Sequence, residues 1–224
     1  MLNQITIEIF LTPGVASMFM QKISLSVAFI VLSAIVIFHS NVEAQVNTGE
    51  PAPDFSLTTY EGKPVKLSDY RGKIVVLEWF NRGCPFVQKH YDSGNMQALQ
   101  ERYAKQGVAW ITINSTRADH ADYLTPEKAA KVMNEWKITQ PLMVKDESGE
   151  VGKRYAAKTT PHMYVIAPDG KISFQGAIDD DSSVSGDPKK AKNFVAQAID
   201  ELMAGKPLTV SSKAPYGCTI KYAG

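Results

Sequence analysis

Ile74-Val75-Val76-Leu77-Glu78-Trp79-Phe80 runs into Asn81-Arg82-Gly83-Cys84-Pro85, and this stretch decides the fold. A run that is apolar but for one acid is the mark of a strand covered on both faces. Proline after Cys84 opens a helix, because its missing N–H would go unpaired in the first turn anyway. A buried strand feeding a helix starts an α/β sheet, and Cys84 falls at the strand's carboxyl end, where open α/β sheets hold their reactants. The helix N-terminus offers exposed N–H groups and roughly half a positive charge, which favours thiolate over thiol. Arg82, two residues earlier, adds to that field. Cys84 is thus a candidate nucleophile rather than an inert buried thiol.

Working outward, the same alternation continues. Phe55–Thr59 and Pro64–Leu67 flank Tyr60-Glu61-Gly62-Lys63 and read as an N-terminal hairpin. The helix from Pro85 runs to Gln106 with a break near Ser93-Gly94. Val108–Ile113 is a second buried strand, and Thr125-Pro126-Glu127 caps a helix ending near Trp136. Leu142–Val144, a short helix Val151–Ala156, and paired strands His162–Ile166 and Lys171–Ala177 around Asp169-Gly170 follow. Asp187-Pro188 is expected to start the last helix, whose stripe Ala191, Phe194, Val195, Ala198, Ile199 and Leu202 packs on the sheet. Gly205 and Pro207 stop it. Residues 208–224 form a tail carrying Cys218, expected to lie back over the domain.

Glu78 interrupts the central strand six positions before Cys84. A carboxylate there is costly unless paired or neutralised, and desolvation should raise its pKa towards neutrality, where it can pass protons to and from a sulfur. The alternative is a strand-edge acid satisfied by Lys66, Lys73 or water. Thr160-Pro161, at the entry of the strand His162–Ile166, is either simple edge placement of proline or a cis bond that sets backbone beside the cysteine.

Residues 1–44 read differently. Lys22, the uncharged run Ile23–Phe38 and the small residues Val42 and Ala44 have the order of a secretory signal cleaved after Ala44; a membrane anchor would need a run of about 20 apolar residues. Translation starting at Met20 is equally compatible. The expected division is a signal over 1–44, a domain over 45–207 and the tail over 208–224, with a secreted or periplasmic location. The leader holds one base (Lys22) and two acids (Glu8, Glu43) of the chain's 24 and 23, so 23 bases face 21 acids afterwards. That balance excludes nucleic acid and anionic membrane as partners, since both call for clustered bases in excess. Both cysteines lie in the exported part, and an even pair outside the cytosol can persist as a disulfide. His90, His120 and His162 show no metal-ligand spacing with either cysteine, and no cofactor is implied.

Taken together, Gly49-Glu50-Pro51-Ala52-Pro53-Asp54-Phe55, Leu67-Ser68-Asp69-Tyr70-Arg71-Gly72-Lys73, Cys84, Glu78 and Thr160-Pro161 resemble the thioredoxin superfamily. The closest likeness is to its peroxiredoxin-like branch (alkyl hydroperoxide reductase and thiol-specific antioxidant, or redoxin, domains), over about residues 47–205. The resemblance implies a thioredoxin-like α/β fold with a central mixed sheet flanked by helices, Cys84 as nucleophile, Glu78 as the buried acid and Thr160-Pro161 shaping a substrate groove. Arg82, by its place beside the helix-start cysteine, and Cys218, on the tail, complete the candidate site. The chain departs from the branch. Val87 replaces the second cysteine of a thioredoxin pair, Leu77 and Asn81 replace the peroxidatic proline and threonine, and Thr160 falls near the place of the catalytic arginine. A Cys-Pro-Phe-Val setting with a C-terminal Tyr216-Gly217-Cys218 resembles a peroxiredoxin-like subgroup with one active-site cysteine.

Two readings stay open at this point. In the first, Cys84 attacks a peroxide or a protein disulfide, Cys218 resolves the intermediate, and an external thiol or thioredoxin-like reductant restores the pair. In the second, a Cys84–Cys218 disulfide is a staple in a non-catalytic binding module, closing about 134 residues for roughly 5 kcal/mol in the chain-entropy model.

Overall fold

The computed structural model describes residues 46–139 and 141–224; the leader reading of residues 1–44 lies outside them. Strands β1 (Ser56–Thr59) and β2 (Pro64–Lys66) pair antiparallel as the expected hairpin. The central strand β3 (Val75–Trp79) is followed by helices α1 (Pro85–Asp92) and α2 (Asn95–Ala104). Between them Gly94 takes a left-handed φ of 74°, which ends the first helix where Ser93-Gly94 predicts a break. Then come β4 (Ala109–Asn114), α3 (Pro126–Glu135), β5 (Leu142–Lys145) and the short α4 (Glu150–Arg154). The two-residue β6 (Thr159–Thr160), β7 (His162–Ile166), β8 (Ile172–Gly176) and α5 (Phe194–Met203) precede β9 (Ser212–Lys213) and β10 (Cys218–Thr219).

Eight strands form one mixed sheet in the order β2-β1-β5-β4-β3-β7-β8-β9, with β3 parallel to β4 and antiparallel to β7. Because successive strand residues point to opposite faces, β3 feeds two cores. Val75, Leu77 and Trp79 pack with Ile111, Ile113, Tyr164 and Tyr155, while Val76 and Phe80 pack with Val87, Tyr91 and Met96 of α1 and α2. Glu78 has the parity of Val76 and Phe80, so it must face those helices. Among the described residues no helix is long and apolar enough to cross a membrane.

One expectation needs correction. The last helix starts at Phe194, not at Asp187-Pro188. Asn193 caps it, its side chain accepting from the Ala196 amide at 2.7 Å, while the Asp187 carboxylate closes a local turn on the Lys189 amide. The turn at 188–190 does not propagate, and the Phe194 amide bonds Ile178 O at 2.9 Å, which holds the chain extended just before the cap. The tail lies back over the domain and does so as two short strands. It adds β9 to the edge of the main sheet, parallel to β8, and pairs β10 with β6 as a second small sheet.

Candidate active site

Cys84 is the N-cap residue of α1, with an extended backbone (φ −79°, ψ 120°). Its carbonyl accepts the first helical bonds, from the amides of Val87 (3.0 Å) and Gln88 (2.9 Å). The side chain is only 2 % exposed, and its thiol donates to the carbonyl of Thr160 at 2.9 Å. The Thr160–Pro161 peptide bond is cis. Thr160 is buried as well, and its Oγ1 has no partner.

The tail delivers the second thiol to the same spot. In the antiparallel β10–β6 pair, Cys218 stands opposite Thr160 and Thr219 opposite Thr159. Gly217 makes this approach feasible: its φ is 136°, and a Cβ there would lie 2.1 Å from Thr160 O. Beyond Cys218 the chain is pinned by Ile220 N to Lys158 O (3.2 Å), by Arg117 N to Lys221 O (2.8 Å) and by the Tyr222 hydroxyl to Ala157 O (2.8 Å). The Cys218 thiol is pushed up to about 12, first by burial and then by its hydrogen bond with, and the charge of, Cys84. It therefore keeps its proton at neutral pH while Cys84 is free. The edge that Thr160-Pro161 was expected to offer as a groove is thus covered by the chain's own β10.

Glu78 is completely buried, and its oxygens face donors only. Oε1 accepts from the Tyr91 hydroxyl (2.9 Å), and Oε2 from Trp110 Nε1 (2.8 Å), Thr112 Oγ1 (3.2 Å) and Gln100 Nε2 (3.3 Å). Burial raises its pKa to about 7, the four hydrogen bonds opposing that rise. Neither Lys66 nor Lys73 satisfies it.

The side-chain contacts of Arg82 lead away from the thiol. Its guanidinium lies 4.0 Å from the Trp136 ring centroid and 3.9 Å from Glu135, across α3, because an aromatic face and an acid attract it there. None of its contacts reaches Cys84.

A buried polar cluster that sequence reasoning missed lies next to Cys218. Tyr216 donates to Asp179 Oδ1, and its oxygen is 3.2 Å from His90 Nε2. His90 Nδ1 is 3.0 Å from the Asn95 amide nitrogen, so one consistent assignment runs Asn95 to His90 to Tyr216 to Asp179, with His90 neutral and protonated on Nε2. Burial, aided by the charge of Lys89, drives the His90 pKa down to about 3. Lys89 Nζ caps the Asp181 and Ser183 carbonyls at 2.6 and 3.0 Å. Tyr216 is visible in the sequence only as a neighbour of Cys218, and Asp179-Asp180-Asp181 has the look of a solvated acidic loop. The position of His90, in the last turn of α1 and in phase with Val87, was the available signal. A cavity of about 570 Å³ lined by Lys153, Lys158, His162 and Lys213 touches neither cysteine.

A sheet of this order, helices on both faces, and a helix-start cysteine bonded to the residue before a cis-proline define a thioredoxin-like thiol protein. Residues 48–175 match the AhpC/TSA family, and the chain belongs to it. Among curated proteins it is similar to the thiol-disulfide oxidoreductase ResA of Geobacillus thermodenitrificans, 31 % identical over 57 % of this chain and 67 % of that one. The thioredoxin-like protein YneN of Bacillus subtilis is 27 % identical over 60 % of this chain and 74 % of its own length. Among solved structures, an uncharacterized conserved protein from Geobacillus kaustophilus superposes with a TM-score of 0.70 at 30 % identity, covering 80 % of this chain and 94 % of that one.

Proposed function

We propose that the protein is a thiol-disulfide oxidoreductase in which Cys84 is the nucleophile and Cys218 the resolving thiol. The observation that carries this reading is the shared use of Thr160: the Cys84 thiol bonds its carbonyl while Cys218 stands opposite it in the β10–β6 ladder. Cys84 thiolate attacks one sulfur of a partner disulfide, and the other sulfur leaves as a thiolate that takes a proton. Cys218 gives up its proton and attacks Cys84 Sγ, and the second partner thiol departs. The partner gains two electrons, and the chain is left with a Cys84–Cys218 disulfide for an external dithiol to reduce. The order of attack follows from the raised Cys218 pKa. Two of its causes, the hydrogen bond and charge of Cys84, vanish once Cys84 is in a mixed disulfide.

Likeness to the ResA thiol-disulfide oxidoreductase supports a disulfide rather than a peroxide as substrate. So does the chain itself, which lacks the polarising groups at Leu77, Asn81 and Thr160. We place Glu78 as a proton-holding acid behind the strand and give Arg82 no catalytic part. Export after Ala44, with the reaction outside the cytosol, belongs to the same proposal.

Cys218→Ser protein incubated with oxidised glutathione should accumulate a mixed disulfide at Cys84, seen as a mass increase on that peptide, whereas wild type passes on to the intrachain bond. Cys84→Ser should do neither. Capture by hydrogen peroxide but not by disulfides would overturn the substrate class, and no capture at all would leave the non-catalytic module.

A further inference from the structure

Tyr216 sits two residues before Cys218, and its hydrogen bonds and ring contacts go to α1 and the segment after β8. Its ring centroid is 5.7 Å from that of Phe86 and 5.1 Å from Lys89 Nζ, and its hydroxyl meets His90. Phe86, Lys89 and His90 all belong to α1, the helix that Cys84 caps. One rigid element therefore carries the nucleophile at its start and the seat of Tyr216 in its next turns. Asp179 supplies the other half of that seat. It is 1 % exposed, its Oδ1 takes the Tyr216 hydroxyl and the Asp181 amide (3.2 Å), and its Oδ2 has no hydrogen-bond partner and lies 3.8 Å from His90 Nε2. A buried carboxylate with so few donors leans heavily on the hydroxyl it has. The contacts on the far side of Cys218, through Ile220 and Tyr222, go instead to Lys158 and Ala157.

We infer that Tyr216, seated on Asp179 and His90, is a positioning residue that registers the Cys218 strand to α1 and holds the resolving sulfur at Cys84. The inference rests on the disulfide-exchange reading above. Chain connectivity alone leaves Cys218 separated from Cys84 by a long loop, the pins at Ile220 and Tyr222 fix only its other flank, and β9 ties the near flank to β8 at Ser212–Lys213 rather than to α1. The hydroxyl of Tyr216 joins the near flank to the same helix as the nucleophile. What it raises is the effective concentration of one thiol at the other. His90 completes the seat as a neutral donor, handing its Nε2 hydrogen to the tyrosine oxygen while that oxygen's own hydrogen goes to Asp179.

The test is the equilibrium between the Cys84–glutathione mixed disulfide and the Cys84–Cys218 bond in glutathione buffers, followed by mass spectrometry, in wild type and Tyr216→Phe. Phenylalanine keeps the ring against Phe86 and removes only the hydroxyl. The expected result is a drop of about tenfold in the effective concentration of Cys218, the scale of one lost hydrogen bond to a charged group. Alkylation of Cys84 by iodoacetamide in a Cys218→Ser background should stay within about twofold on adding the same change, since the nucleophile itself is untouched. A purely structural role would lower the melting temperature and leave the effective concentration of the folded protein where it was, which overturns the inference. Should Tyr216→Phe fail to fold, Asp179→Asn, which keeps an acceptor and removes its charge, must lower the effective concentration in the same direction by a smaller factor, and an unchanged value overturns the inference equally. Wild type that forms no Cys84–Cys218 bond at all would overturn the exchange reading beneath it, an outcome distinct from a bond that forms equally well without the hydroxyl.

Discussion

Glu78 shows what a single residue can and cannot say. Its place in an apolar run points to burial and a raised pKa, with a strand-edge acid paired to Lys66, Lys73 or water as the alternative, and the fold buries it. Its partners did not announce themselves, because Tyr91, Gln100, Trp110 and Thr112 come from two helices and a neighbouring strand whose arrangement depends on the whole fold. Since all four are donors, the ionised form is the better hydrogen-bonded one, yet desolvation still wins and sets the pKa near 7. That pKa stands above the unfolded value of about 4.5, so the stability tied to it is fully present below pH 4.5 and is lost as pH climbs through about 7. Glu78→Gln removes the titration. Relative to wild type it should gain about 2–3 kcal/mol between pH 5 and pH 8, whatever its offset from amide mispairing with those donors. Urea unfolding at the two pH values checks this, and parallel stabilities would show that the acid keeps an ordinary pKa. The same logic explains Arg82. Proximity in sequence to Cys84 suggested an electrostatic partner, but a long side chain goes where an aromatic face and an acid await it, and Trp136 and Glu135 lie a helix away.

Elements with a full period were legible, and those made by pairing alone were not. The hairpin, β3, the α1–α2 break and the β7–β8 pair all follow from alternation, proline or glycine within the segment itself. The two-residue strands β6 and β10 have no period to read; they exist because Gly217 lets the tail come within reach of the Thr160 carbonyl. The start of α5 is the instructive failure. Asp187-Pro188 carries a genuine helix-start signal, and Asp187 does close a turn on the Lys189 and Lys190 amides, but the ladder-like contacts Phe194 N to Ile178 O and Asp179 opposite Asn193 hold the chain extended before Phe194 and stop that turn from growing. Tertiary pairing overrides the local cue and leaves Asn193 to cap. Asn193→Ala should therefore cost about 1 kcal/mol of stability and Asp187→Ala only a few tenths. Denaturant midpoints of the two variants, with equal slopes, decide it; the reverse ranking would put the helix start back at Asp187.

At the scale of the whole molecule, the question is whether closing Cys84–Cys218 is worth more to the folded chain or to its chemistry. A staple gains by restricting the unfolded state, and a loop of about 134 residues offers up to roughly 5 kcal/mol. For a domain of this size that is on the order of 10–20 °C in melting temperature. The reduced fold, however, already holds both sulfurs in place without a bond. Cys84 is anchored as helix cap and by Thr160 O, and the tail is pinned at Tyr216, Ile220 and Tyr222. Oxidation must take the Cys84 hydrogen bond away from Thr160 O, so part of the entropic gain is offset by what the native state gives up. The bond is then easier to reduce than a structural bridge, because stability and reduction potential are two sides of one thermodynamic cycle: whatever the oxidised fold fails to gain over the reduced one appears as a higher potential. The expected outcome is a potential well above roughly −300 mV by titration in glutathione buffers, with oxidised and reduced protein melting within a few degrees of each other. An oxidised form that melts more than about 10 °C higher and resists glutathione would be a staple. Thiol exchange at Cys84 would then end with the first turnover.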